Sequence, residues 1–211
     1  MRPMFSIEIE GVKFHVGRPM LEAERNACYQ LRYRAFCIER SRLPAKNYSD
    51  GRELDQYDGS SMLFAAWSDL NDGEVVGTFR LSRCDLGYFL ENGQFNGQRF
   101  QLPEAAGGEP VMLEATAEAS RLVAPSIMLP TGKRVLVSML LFRALLIVSK
   151  QQGIRHWVYA ANPKQLSNMR KDGWPFECLI PAEHEYYGEL AEAGIIALGD
   201  HDFFCRYTLD E

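Results

Sequence analysis

The feature that most constrains the fold is the run Val135–Val148, apolar at nearly every position and interrupted by Arg143. It is too short and too broken to span a bilayer. Pro130-Thr131-Gly132 precedes it and Gly153 lies beyond its end, which predicts one helix over 133–152. The flanking patterns predict the sheet it would pack on. Phe5–Ile9 and Val12–Val16 alternate apolar and polar residues across Glu10-Gly11, as in a hairpin or one bulged strand. After Pro19, the residues Leu21, Cys28, Leu31, Ala35 and Ile38 recur at roughly helical spacing, predicting an amphipathic helix over 20–40. Residues 41–60 are polar and read as a long loop. Met62–Trp67 and Val75–Arg83 are strand-like about a turn of Asp69, Asn71, Asp72 and Gly73, which predicts an antiparallel hairpin.

Residues 84–110 read as loop with room for a short helix, and Val111–Val123 as a strand. Ile154–Ala161 reads as a strand, Pro163–Lys171 as a short helix stopped by Gly173, and Ile195–Leu209 as the last strand or strands. This order is α+β or mixed α/β, and no linker divides it, so a single domain over 1–211 is expected.

Composition narrows the function. Of 211 residues, 46% are hydrophobic and 24% charged, globular values that argue against a disordered chain. The net charge of −5 argues against a general nucleic-acid binder. Met1–Glu10 has no apolar signal core, so a cytoplasmic location is expected. The charge is uneven: residues 119–171 carry nine basic side chains and no acidic one, whereas residues 172–211 carry one basic and ten acidic. That predicts a local positive surface on an acidic protein, unless part of the stretch is buried. The five cysteines are widely spaced without a CxxC, and the four histidines show no ligand spacing, so no metal, cofactor or disulfide framework is expected.

Three groups of residues have chemical potential. Glu53-Leu54-Asp55-Gln56-Tyr57-Asp58 puts three carboxylates into six residues. They suit a cation, an arginine or a metal, although on composition alone a solvated loop accounts for them. Glu118-Ala119-Ser120-Arg121 falls on the expected strand 111–123. In a regular strand Glu118 and Ser120 share one face and Ala119 and Arg121 the other. Charges within an apolar strand are costly unless paired or functional, which makes Glu118 a candidate general base or half of a structural ion pair. Arg32 and Arg80 lie inside apolar patterns of the first helix and of a strand, where a carboxylate such as Asp55, Asp58 or Glu118 could meet them.

Taken in order, Arg32 with Phe36, the Glu53–Asp58 box, Gly77 with Arg80-Leu81, and Glu118–Arg121 resemble the acyl-homoserine-lactone synthases, the LuxI-type autoinducer synthases. The match runs from about residue 30 to 121, and more weakly through Arg170–Trp174. The resemblance implies a fold related to the GCN5-type N-acyltransferases, three α/β/α layers around a mixed, mostly antiparallel sheet. It also implies a reaction that makes a quorum-sensing signal. The amine of S-adenosylmethionine attacks an acyl thioester carried by acyl carrier protein or coenzyme A. Lactone closure then expels methylthioadenosine. S-adenosylmethionine is thus a substrate, not a cofactor.

Carried over residue by residue, Glu118, Ser120 and Arg121 fall at the catalytic strand. Arg32, Phe36, Asp55, Asp58 and Arg80 fall on the S-adenosylmethionine side. The family's invariant tryptophan after the helix phenylalanine has no counterpart in Cys37–Pro44, which is about two residues longer. An acyl tunnel could be lined by Met139, Leu140, Phe142 and Leu146 of the long helix and by Trp157 and Tyr159, although ordinary core accounts for most of them. The position that tunes chain length falls among Val158–Ala161, with Val158 and Ala160 as candidates. Lys133, Arg134, Lys150, Lys164, Arg170 and Lys171 are candidates for steering an acidic acyl carrier protein. Pro130–Lys133 is expected at a strand-to-helix turn that could take a phosphopantetheine phosphate. An N-acyl amino acid synthase that forms no lactone, and a catalytically silent relative that binds acyl chains or acyl carrier protein, remain alternatives.

Overall fold

The computed structural model describes residues 1–88, 90, 101–171, 173–181, 185–186 and 189–199. In chain order the strands and helices begin with β1 (Pro3–Ile9), β2 (Val12–Gly17), α1 (Glu22–Tyr33), β3 (Met62–Ser68) and β4 (Val75–Arg83). Two short strands, β5 (Ala105–Ala106) and β6 (Glu109–Pro110), precede β7 (Thr116–Val123), β8 (Ser126–Met128) and β9 (Arg134–Leu136). The rest are α2 (Val137–Gln151), β10 (His156–Ala161), α3 (Pro163–Lys171), β11 (Phe176–Ile180), β12 (Glu185–Tyr186), β13 (Glu189–Leu190) and β14 (Glu192–Ala197). They fall into two units, Met1–Arg80 with Arg121–Val148 and Leu81–Ser120 with Ser149–Glu211.

In the first unit the strands lie in the order β1-β2-β3-β4. The expected hairpin is present: Ile9 opposes Val12, and Glu10 and Gly11 both take positive φ, the geometry of a tight turn matched to strand twist. Helices flank β3 and β4 on both faces. On one side Cys28 of α1 packs on Leu63 and Ala65 of β3 and hydrogen-bonds Thr78. Burial pushes the Cys28 thiol up to about 12, so it serves as packing rather than as a nucleophile. On the other side Phe142 of α2 meets Phe79 edge-on at 5.1 Å. A Cβ on Gly77 would stand 2.6 Å from Val137 Cγ1, so glycine lets α2 sit close to β4.

Two expected helices are trimmed by the structure. The helix expected over 20–40 is α-helical only through Tyr33, and Arg34–Glu39 continues as a π-helix, with Arg40 N–H donating to Ala35 O. A π-turn absorbs an extra residue without breaking the helix. The helix expected from 133 begins at Val137, because Arg134–Leu136 pairs with Ser126–Met128 instead. Pro130–Lys133 is therefore the tip of a β-ribbon and not a helix-opening turn. No helix among the described residues is long and apolar enough to cross a membrane.

In the second unit β10 runs parallel to β7 and antiparallel to β14, which pairs antiparallel with β11. The strand expected over 111–123 starts at Thr116, after a 3-10 turn at Leu113–Ala115. The expected last strand, 195–209, begins earlier and ends at Ala197, and 200–209 lies outside the described residues.

Tyr159 lies across Gly194, its hydroxyl donating to Glu177 O at 3.3 Å. A Cβ at Gly194 would run into both that backbone oxygen and the phenol oxygen. Gly194→Ala is expected to lose about 1–3 kcal/mol of stability by overpacking, read as a drop in the urea midpoint. An unchanged midpoint would show that β11 yields freely at this point.

Candidate active site

The site begins with the buried face of α1. Cys28, Leu31, Arg32, Ala35 and Phe36 are buried at helical spacing, so Arg32 sits on the core side of its helix. Phe36 packs in a cluster with Leu31, Ala35, Cys37, Leu43 and Val123. The acidic box is brought beneath Arg32 by main-chain bonds. Glu53 N–H donates to Tyr29 O at 3.0 Å. Asp55 N–H donates to the Asp58 carboxylate at 2.8 Å, and Tyr57 N–H to the Asp55 carboxylate at 2.9 Å.

Three arginines close on these three carboxylates. Arg32 donates through Nε to Glu53 at 2.5 Å and through both terminal nitrogens to Asp58, at 2.7 and 3.0 Å. Arg80 donates to Asp55 at 2.6 Å. Arg121 donates to Glu53 and Asp55, both at 3.1 Å. Each of the six carboxylate oxygens thus accepts at least one guanidinium N–H, and the cluster is charge-balanced at three against three.

Arg32, Arg80 and Glu53 are fully buried. In such a setting each charge depends on its partners, because an unpaired one carries the full desolvation penalty. Burial by itself would raise the Asp58 carboxyl. Hydrogen bonds from Arg32 and the charges of Arg32 and Arg80 hold it below the usual carboxylate range instead. Burial would likewise weaken protonation of Arg32, and Asp58 and Glu53 reverse that. The rings of Tyr29 and Tyr57 lie 5.4 and 6.0 Å from the Arg32 and Arg80 guanidinium carbons.

The expected alternation along β7 fails at Arg121, whose φ is +58°. That left-handed conformation costs a non-glycine residue on the order of 1–3 kcal/mol and persists only where contacts enforce it. The bonds to Glu53 and Asp55 supply them. Earlier on β7, Glu118 is buried beside Val158 in parallel register, and its carboxylate accepts the Leu90 N–H at 2.9 Å. Ser120 is half-buried.

The structure thus gathers Arg32, Asp55, Asp58, Arg80 and Arg121 into one network. It adds Glu53, the first carboxylate of the acidic box, to which the resemblance assigns no role of its own. The signal was present: Glu53 and Asp55 are two apart in an extended segment and share a side.

The tunnel candidates separate. Phe142 is buried against Phe79 in the first unit, where Met139 and Leu146 are half-buried. In the second, Trp157 is core and donates to Ser149 Oγ at 2.9 Å. Val158 belongs to an apolar cluster with Tyr88, Leu90, Ala106, Ala193 and Ile195, and Ala160 packs against it.

Among the cations, Lys133, Arg134, Lys150, Lys164 and Lys171 are exposed. Arg170 is less exposed than these. It is half-buried and bonds both oxygens of Glu192, one at 3.1 Å, beside Tyr159. Burial first, and the charge of Glu192 second, push the Tyr159 phenol up. Among the described residues no three His, Cys, Asp or Glu side chains are placed to hold a metal.

Residues 31–126 match the acetyltransferase (GNAT) domain family. The fold is that of the GNAT-type acyltransferases, and solved acyl-homoserine-lactone synthases share it along most of the chain. The synthase LasI is 21% identical over 89% of this chain and 90% of its own, with a TM-score of 0.65. The coenzyme A-dependent synthase BjaI, determined with SAM and isopentyl-CoA, is 18% identical over 87% and 79%, with a TM-score of 0.57. FeeM, an N-acyl amino acid synthase from uncultured soil microbes, is 14% identical over 89% and 93%, with a TM-score of 0.51. No curated protein matches the sequence.

Proposed function

We propose that this chain is a divergent acyl-homoserine-lactone synthase. The observation that carries the reading is the closed arginine–carboxylate network, built from the boxes whose order resembles that family.

The ammonium of S-adenosylmethionine must lose a proton before it can attack. Glu118 takes that proton, directly or through water. The freed amine adds to the thioester carbonyl carbon, the adduct's nitrogen passes its surplus proton to the departing sulfur, and the oxyanion collapses to the amide as the C–S bond breaks and the thiol leaves. A main-chain N–H beside the kink at Arg121 is the candidate donor to that oxyanion. An oxygen of the methionyl carboxylate then attacks the γ-carbon. The sulfonium C–S bond breaks toward sulfur, and neutral methylthioadenosine departs. This second step annihilates a carboxylate against a sulfonium, so an apolar surrounding favours it.

The network leaves no carboxylate oxygen without a guanidinium donor. Arg32, Asp55, Asp58 and Arg80 therefore act as a fixed wall on the S-adenosylmethionine side rather than as a bare anionic trap. The apolar cluster around Val158 and Ala160 is the candidate acyl pocket. An acyl carrier protein or acyl-coenzyme A supplies the acyl group. Both substrates are cytoplasmic metabolites, and the reading places the enzyme with them.

A second reading, an N-acyl amino acid synthase that closes no lactone, is favoured by the segment Cys37–Pro44, which has no counterpart of the synthase tryptophan. Incubation with S-adenosylmethionine and acyl thioesters separates the two. Methylthioadenosine released in step with free thiol, with an acyl-homoserine lactone found by mass spectrometry, is the expected result. Thiol release to an amino acid acceptor without methylthioadenosine would replace the first reading by the second.

A further inference from the structure

We propose that His156 selects an acyl group that carries a hydrogen-bonding oxygen well along its chain, near the sixth carbon. This rests on the synthase reading in one respect, that an acyl group enters the apolar cluster around Val158 and Ala160.

His156 is the first residue of β10 and is fully buried. Neither of its ring nitrogens has a hydrogen-bond partner among the described residues. That is uncommon, because a buried polar group without a partner carries its desolvation cost uncompensated. The polar side chains beside it are engaged elsewhere. Thr116, its neighbour in the parallel register with β7, donates to Met112 O at 2.7 Å. Glu118, two residues on, accepts the Leu90 N–H at 2.9 Å. An imidazole offers an N–H donor and, in its neutral form, an acceptor as well, so it suits a hydroxyl or a ketone.

Strand alternation puts this group on the candidate acyl pocket. Residues two apart share a face, so His156 stands with Val158 and Ala160. The face continues across β14, where His156 opposes Ala197, Val158 opposes Ile195 and Ala160 opposes Ala193. Val158, Ala193 and Ile195 belong to one apolar cluster. The face is therefore apolar along its length and polar at the His156 end. The β5–β6 hairpin covers that end: Ala106 joins the cluster, and a Cβ on Gly107 would stand 2.6 Å from the Ala197 Cβ. With two residues in each strand, the hairpin has little stability of its own and can yield to an entering chain.

The register sets where the oxygen belongs. Glu118, the base in this reading, is level with Val158, and His156 lies two residues back, about 7 Å along the strand. With C–C bonds of about 1.5 Å and tetrahedral angles, about five or six carbons of extended chain cover that distance. An oxygen on the third carbon stops short of the imidazole. The ring is already out of water in the ligand-free chain, so a bond to it adds affinity without further desolvation of the protein.

The test compares hexanoyl, 3-oxohexanoyl and 6-hydroxyhexanoyl thioesters of N-acetylcysteamine by kcat/KM for thiol release. The wild-type chain is expected to favour 6-hydroxyhexanoyl over hexanoyl about tenfold, chiefly through KM, with 3-oxohexanoyl no better than hexanoyl. His156→Leu should abolish that preference and raise the melting temperature of the ligand-free chain, because an apolar side chain of similar size removes the unpartnered group. His156→Gln keeps a donor and an acceptor and should retain part of the preference, which a purely structural role for the ring would not produce.

Equal kcat/KM for the three thioesters in the wild-type chain overturns the assignment, and so does a preference that survives His156→Leu. If the leucine variant does not fold, the wild-type and glutamine comparisons decide. The preference is read with whichever acceptor supports thiol release, S-adenosylmethionine or an amino acid. If neither does, the Kd values of the unreactive 6-hydroxyhexyl and hexyl thioethers, by titration calorimetry, give the same comparison. Methylthioadenosine is assayed separately. A chain that shows the preference yet releases none keeps its oxygen-selective pocket and overturns the synthase reading alone.

Discussion

Glu118→Gln is expected to lower acyl transfer by roughly 10²–10⁴-fold, the range for loss of a positioned general base, with the fold intact. The amide matches the carboxylate in size. Its oxygen can still accept the Leu90 N–H that now reaches Glu118 at 2.9 Å. What it cannot do is take a proton. Residual turnover of the variant should therefore rise with pH, as solvent deprotonates the substrate amine, along a steeper profile than wild type. The check is thiol release across pH 6–9 beside a thermal melt. Turnover close to wild type at neutral pH would remove Glu118 from the base role and leave it a structural acceptor for Leu90.

Glu53→Ala should be the most damaging change to stability, on the order of 3–5 kcal/mol. One carboxylate receives Nε of both Arg32 and Arg121, at 2.5 and 3.1 Å. Its removal leaves a buried cluster of three cations against two anions. It also releases one of the two contacts that hold Arg121 in its left-handed conformation. Urea denaturation gives the stability. A double-mutant cycle with Arg32→Met should recover part of the loss, because two arginines then face two carboxylates, with Arg80 3.4 Å from Asp58. A loss below about 1 kcal/mol would mean that water reaches the network and screens it.

How much of the fold and the site is legible in the sequence depends on what each element needs. The β1–β2 hairpin is legible because its alternation and its Glu-Gly turn are local facts. The start of α2 is not: Arg134–Leu136 is as compatible with a helix as the residues after it, and only pairing with Ser126–Met128 draws it into a ribbon. The π-turn at Arg34–Glu39 is illegible for a related reason, since one extra residue in a turn barely disturbs the spacing of apolar positions. In the site, Arg32 betrays itself by sitting at the core position of a helical pattern. Arg170 resembles one more surface cation because its partner, Glu192, lies 22 residues away on another element.

The sequence alone determined the mixed order of helices and strands, that the long apolar run is too short for a bilayer-spanning helix, and the presence of charge in otherwise apolar patterns. These arise from the period and sign of neighbouring side chains, which need no knowledge of what lies across the core. Which charges meet was decided only by the tertiary structure. Three arginines and three carboxylates admit many pairings. The one realised depends on α1, the loop before β3, β4 and β7 arriving at one place with guanidinium planes matched to carboxylate planes. The same holds for the apolar run Val135–Val148. Its composition required that it be buried, but strand pairing at its first residues set where the helix begins and placed Met128 and Leu136 in solvent.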